Sequence, residues 1–153
     1  MPDLNQPRIL IVDDEDLILD ALRRQLHSCF NVATATGAKE AINLIMSQGP
    51  YAVVVSDLRM PAMDGVTLLY LIRQIAPNTV RILLTGKADL EAATLAVNMG
   101  NVFRFLTKPC PTKTLLRALN AAVEQYEITT ASPPDAAGFS SGEDSRASPR
   151  KNA

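Results

Sequence analysis

Short apolar runs recur five times along this chain, each followed by an amphipathic stretch. The runs lie near Arg8–Val12, Asn31–Thr34, Ala52–Ser56, Val80–Leu84 and Phe103–Leu106. The first, third and fourth are dense in Val, Ile and Leu, without an alternating polar face. That pattern suits strands covered on both sides, as in a parallel sheet. Between them, apolar residues recur at helical spacing: Leu17, Ile18, Ala21, Leu22 and Leu26, then Ala38, Ala41, Ile42 and Ile45. The last stretch carries Leu115, Leu116, Leu119, Ala122, Val123 and Tyr126. Each set makes one apolar stripe. Pro77 closes the third helix, and Pro109 and Pro111 precede the fifth. Strand and helix in strict alternation predict a doubly wound α/β fold, with right-handed crossovers and helices on both faces of the sheet.

The pattern runs from about Pro7 to about Thr130, so residues 1–6 read as a short extension and 7–130 as one domain. Residues 131–153 are dominated by Ser, Pro, Gly, Ala and charge, with Phe139 the one aromatic. Such a segment buries too little apolar surface to offset its ordering entropy, and we expect it to be disordered. The net charge of -1 sets up no global field towards nucleic acid or membrane. No apolar stretch reaches membrane-spanning length, and the N-terminus lacks a signal-peptide pattern. Cys29 and Cys110 match no metal spacing and read as reduced thiols of a cytoplasmic protein.

Open parallel sheets bind ligands beyond the carboxyl ends of their strands, where the strand order reverses. Five functional candidates fall at such ends: Asp13 and Asp14 behind the first run, Asp57 behind the third, Thr85 behind the fourth and Lys108 behind the fifth. Glycine-rich phosphate loops are absent, so side chains and a metal would hold the ligand. Crowded carboxylates repel, and a divalent cation relieves them. Mg²⁺ suits one or two carboxylates plus waters, and Mn²⁺ is the natural substitute. A carboxylate such as Asp57 can attack phosphorus to form an acyl phosphate. Lys108 could pair with one phosphoryl oxygen and the Thr85 hydroxyl with another. Taken singly, each has an ordinary reading: Asp13 and Asp14 as helix caps, Asp57 as a turn residue, Thr85 as a strand end, Lys108 as a solvated cation. Asp64 reads as a helix cap, and Gly65 as a place where backbone approaches closely. His27 reads as a solvated surface residue, and Met46, Met60, Met63 and Met99 as packing.

In combination, "ILIVDDE", "VVVSDLRMPAMDG", "ILLTG" and "FLTKP" resemble the receiver domain of two-component response regulators, from Pro7 to about Glu127. The resemblance implies a flavodoxin-like (β/α)5 sheet in the order 2-1-3-4-5. It implies Asp57 as phosphoacceptor, and Mg²⁺ held by Asp14, Asp57 and the Arg59 backbone carbonyl, with Asp13 acting through water. It further implies Thr85 as switch hydroxyl, Phe105 as switch aromatic, a cis Lys108–Pro109 bond, and Arg59 and Lys87 as modulators of hydrolysis. The implied partner is a sensor histidine kinase or a histidine phosphotransfer protein. The switched surface would be the fourth helix, fifth strand and fifth helix, read by an effector the sequence does not name. Neither direct nucleic-acid nor membrane contact is expected, and the oligomeric state would be a monomer or a weak phosphorylation-dependent dimer.

Two departures from the common pattern stand out. Gly100-Asn101-Val102-Phe103 holds one residue more before the last strand, and "NMGNVFRFLTKPC" resembles receivers found beside HD-GYP phosphodiesterases. The switch aromatic is Phe, which has no hydroxyl. The chain is expected to assist its own phosphorylation and dephosphorylation without being an enzyme otherwise. Alternatives are a phosphorelay intermediate, a receiver piece of a longer regulator, a metal-dependent aspartyl phosphatase, and a pure interaction module. Against the phosphatase, the acids behind the first run form an adjacent doublet, Asp13-Asp14, where haloacid-dehalogenase-type enzymes place nucleophile and acid as Asp-x-Asp. Only Glu15, two residues after Asp13, and Asp16, two after Asp14, approach that spacing, and no cap domain is expected.

Overall fold

A computed structural model describes residues 6–131; of the segment 131–153 expected to be disordered, 132–153 lie outside the described residues. Five parallel strands form one sheet: β1 (Arg8–Val12), β2 (Asn31–Ala35), β3 (Val53–Asp57), β4 (Val80–Thr85) and β5 (Arg104–Thr107). Their order is β2-β1-β3-β4-β5, all pairs parallel. Five α-helices connect and follow them: α1 (Asp16–Leu26), α2 (Ala38–Gln48), α3 (Gly65–Ile75), α4 (Leu90–Asn98) and α5 (Thr112–Thr130). A single 3-10 turn, Lys87–Asp89, leads into α4.

The dense apolar runs are explained by two cores, one on each face. Ile9, Ile11, Val53 and Val55 point to the layer of α1 and α5, while Leu10, Val12 and Val54 point to the layer of α2, α3 and α4. Strand side chains alternate between faces, so a strand covered on both sides must be apolar at every position. Leu68, Leu69 and Ile72 of α3 are fully buried, each worth about 1.5–3 kcal/mol relative to exposure.

Local signals set the helix boundaries. Asp64 caps α3, its carboxylate accepting from the Thr67 N–H at 2.8 Å. This satisfies one of the donors a helix start leaves unpaired. The backbone N–H of Gly65 donates to the Leu58 carbonyl at 2.8 Å. A Cβ on Gly65 would stand 2.1 Å from the Asp57 carbonyl oxygen. The start of α3 is therefore pressed against the end of β3, and only glycine fits there. Ala62, in the same loop, adopts φ 70°.

Some apolar residues face water, contrary to expectation. Leu17 is 83% exposed, because Leu19 and Leu26 face the sheet and place it on the far side of α1. Met60 and Met63 pack on the core as expected, whereas Met46 and Met99 are 72% and 61% exposed at helix ends. Phe103 precedes β5 instead of opening it and is also exposed.

The Gly100–Phe103 connection into β5 has a structural account. Gly100 turns the chain at φ 79°, which places Asn101 inside the protein. Arg73 donates to the Asn101 side-chain oxygen at 3.0 Å, and Arg81 Nε to its backbone oxygen at 2.9 Å. Two arginines thus clamp the connection from α4 to β5. Burial, then the nearby Arg73 charge, lowers the pKa of the Arg81 guanidinium.

Candidate functional site

In the order β2-β1-β3, the chain leaves β1 first to one side and then to the other. A crevice opens between the carboxyl ends of β1 and β3, where Asp13 follows β1 and Asp57 ends β3. Asp13, Asp14 and Asp57 each bring a carboxylate oxygen within 4.8 Å of the others. Asp13 is 2% and Asp57 7% exposed, while Asp14 faces solvent.

The two oxygens of Asp13 differ. Oδ1 accepts from the Glu15 N–H at 2.9 Å and shapes the turn into α1. Oδ2 is buried and has no hydrogen-bond partner. Lys108 Nζ stands 3.6 Å from it, beyond hydrogen-bond range. Asp13 therefore shapes the turn ahead of α1 without capping the helix, whose N-cap position is Glu15 and carries no side-chain cap bond, and one Asp13 oxygen is left over. Burial is the main reason its carboxyl titrates above the usual carboxylate range. The Glu15 N–H opposes that rise, the Asp57 charge adds to it, Lys108 opposes it and Asp14 adds to it. A buried acceptor without a partner is costly, and an oxygen-seeking divalent cation meets that need. The donor set therefore fits Mg²⁺.

Lys108 Nζ is 2.8 Å from Asp57 Oδ1. Burial would lower the lysine's pKa, but the hydrogen bond and charge of Asp57, with the charge of Asp13, raise it overall. The Lys108–Pro109 bond is cis, as expected; Gly49–Pro50, which no sequence feature marked out, is cis as well. The backbone N–H of Lys108 donates to the Thr85 carbonyl at 2.8 Å, which ties β5's exit to β4's end. Thr85 is 1% exposed, and its hydroxyl donates to the Gly86 carbonyl at 3.2 Å.

The remaining candidates stand further out. Phe105, on β5, is half-buried against the α2–α3–α4 core, away from the carboxylates. Lys87 is exposed on the 3-10 turn. The Arg59 side chain is 78% exposed and forks onto Asp89, with Nε donating to Oδ2 at 3.1 Å and Nη2 donating to Oδ1. The hydrogen bond to Asp89 raises the pKa of Arg59, and the reciprocal bond lowers that of Asp89. Sequence reading passed over Asp89, since an acid thirty residues from Arg59 carries no spacing signal.

Among the described residues, no helix is long and apolar enough to cross a membrane.

Residues 9–120 match the family described as the response regulator receiver domain. The chain is 38% identical over 119 residues to the hydrogenase transcriptional regulatory protein HoxA of Cupriavidus necator, covering 78% of this chain and 24% of that protein. It is 36% identical over 123 residues to the transcriptional regulatory protein GlrR of Escherichia coli, covering 80% of this chain and 27% of that one. The chain thus spans about a quarter of the length of these curated relatives. Among solved structures, one of an adenylate cyclase from Rhodopirellula baltica matches with a TM-score of 0.83 at 39% identity, covering 88% of this chain and 99% of that one. The signal receiver domain of an HD domain-containing protein from Pseudomonas fluorescens matches with a TM-score of 0.76 at 37% identity, covering 84% and 95%. A five-stranded flavodoxin-like sheet in the order 2-1-3-4-5, an acidic crevice with a lysine bonded to Asp57, and the match over most of the chain agree: the protein belongs to the response regulator receiver domain family.

Proposed function

We propose that Asp57 accepts a phosphoryl group and that its charge switches a surface of the domain. One observation carries this reading: Lys108 Nζ bonds to Asp57 Oδ1 at 2.8 Å, and Asp57 is one of three converging carboxylates. A free oxygen of Asp57 attacks phosphorus in line; the bond to the donor's leaving atom breaks, and that atom departs with its electron pair. Lys108 pairs with a phosphoryl oxygen as negative charge shifts onto it. Asp14, Asp57 and the Arg59 carbonyl would hold Mg²⁺, and Asp13 would act through water. When bound, the ion neutralises the oxygens that three carboxylates would otherwise repel.

The phosphoryl group adds negative charge and acceptor oxygens. The Thr85 hydroxyl, now spent on the Gly86 carbonyl, exchanges that bond for a phosphoryl oxygen. Phe105 turns into the space Thr85 leaves. The readout is the face made by α4, β5 and α5, where Leu95, Phe103 and Arg104 are exposed. This is a two-state shift driven by differential contacts.

The phosphodonor is a histidine kinase or phosphotransfer protein, with acetyl phosphate as a small substitute, and the setting is the cytoplasm. Nucleic-acid contact is not assigned to this domain. The curated relatives are transcriptional regulators, which favours a receiver within a longer regulator over a free-standing relay protein. Incubation with acetyl phosphate and Mg²⁺ should add the mass of one phosphoryl group. Equal uptake by Asp57→Asn would refute the assignment.

A further inference from the structure

The fork between Arg59 and Asp89 joins two loops with different tasks. Arg59 lies two residues beyond Asp57 on the loop into α3, and Asp89 four residues beyond Thr85 on the turn into α4. Nε and Nη2 both engage the one carboxylate. This is the planar, two-bond geometry that arginine alone offers among cations. The guanidinium is thereby held on the α4 side of the crevice mouth. Arg59 is 78% exposed, whereas Asp89 is only 13% exposed. The arginine is thus the partner with room to move. The loop has room too, since a Cβ on Gly86 would meet nothing within 4 Å.

We infer that Asp89 is an ionic latch that withholds Arg59 from the crevice until a phosphoryl group competes for it. The inference rests on Asp57 being the phosphoacceptor. A phosphoryl group carries a charge of about -1.5 to -2, against -1 on Asp89. It would arise two residues from the arginine's own backbone. The guanidinium then changes partner, and the turn that follows Thr85 is set free as the Thr85 hydroxyl moves inward. Asp89 touches no reacting atom; it is a positioning residue that acts through Arg59. The latch gives the charge placed on β3 a second link to the release of the loop after β4, beside the move of the Thr85 hydroxyl itself.

The test measures phosphoryl uptake from acetyl phosphate with Mg²⁺, by intact mass against time on the full chain. Asp89→Asn leaves Arg59 free to meet the incoming phosphoryl group. Uptake should quicken by about 1.5- to 5-fold at low salt, the range that an exposed ion pair can supply. In about 1 M salt, where charges are screened within a few ångströms, the difference should vanish. Asp89→Glu keeps the charge and should stay near the wild-type rate. In an Arg59→Gln background, Asp89→Asn should change nothing. An unchanged or slower rate in Asp89→Asn overturns the latch, as does an acceleration that persists without Arg59. Wild-type protein that takes up no phosphoryl group overturns the phosphoacceptor reading, and the latch with it. Normal uptake with silent variants overturns the latch alone.

Discussion

Replacing Asp13 with Asn should make the protein more stable. The native carboxylate is 2% exposed, and its Oδ2 has no hydrogen-bond partner. Burial is the main force holding its pKa above the unfolded value of 3.8. A folded pKa that is raised means the native state binds the proton more tightly than the unfolded chain. Stability then falls as pH rises through the window that starts near 3.8, and the ionised group is a net cost at neutral pH. Asparagine has the same shape. Its side-chain oxygen can still accept from the Glu15 N–H, the 2.9 Å bond that shapes the turn. What disappears is the desolvated charge and its repulsion from Asp57 and Asp14. The Nδ2 that replaces the stranded Oδ2 is a donor beside the Asp14 and Asp57 oxygens, whereas an unpartnered buried acceptor costs about 1–3 kcal/mol. Asp13 also loses an attraction to Lys108 at 3.6 Å, which offsets part of the gain. The expected net is about 1–2 kcal/mol, or a rise in Tm of about 3–8 °C. Urea and thermal unfolding of both proteins, without divalent metal and then with 10 mM Mg²⁺, provide the assay. Mg²⁺ binds only the folded form and should raise the wild type more than the variant, narrowing the gap. A variant no more stable than the wild type in the absence of metal would show that the Asp13 charge is satisfied, and the reasoning about the crevice would fail.

Gly65→Ala should destabilise by about 1–3 kcal/mol or more, since its Cβ would fall 2.1 Å from the Asp57 carbonyl oxygen. It should also slow phosphoryl uptake, because the residue forced to yield is the proposed acceptor; denaturation and mass spectrometry check the two effects separately. Asn101→Ala removes the side-chain oxygen that Arg73 bonds and should cost about 1–2 kcal/mol in urea unfolding. Leu17→Glu should change stability by no more than about 0.5 kcal/mol, which checks that this leucine faces water. The Lys108 pKa is raised in the folded state above 10.5. Its ion-pair stabilisation is therefore complete below that pH and lost as pH climbs through the folded value. Melting curves from pH 9 to 12 should show a loss that Lys108→Met lacks.

Strand and helix positions were legible because their signals are local. Residues 9–12 had to be apolar at every position once both faces of β1 were to be covered, and Val53–Val55 repeat that logic. The ends of these runs place the acids and Lys108 at one edge of the sheet. Asp64 and Gly65 were legible too, as a cap and a close approach. Side-chain exposure was less so. Leu17 joined an apolar stripe by spacing, yet only the angle at which α1 lies on the sheet decides which neighbour faces inward.

By itself, the sequence determined the layered architecture, the chemistry gathered at one edge and the family, since periodicity and residue type act over a few neighbours. The tertiary structure alone decided that one Asp13 oxygen serves a turn while the other is stranded. It alone clamped Asn101 between Arg73 and Arg81, and turned Arg59 towards Asp89 across thirty residues of chain. Those outcomes depend on distances between segments remote in sequence, which only the packing of both helical layers onto the sheet sets.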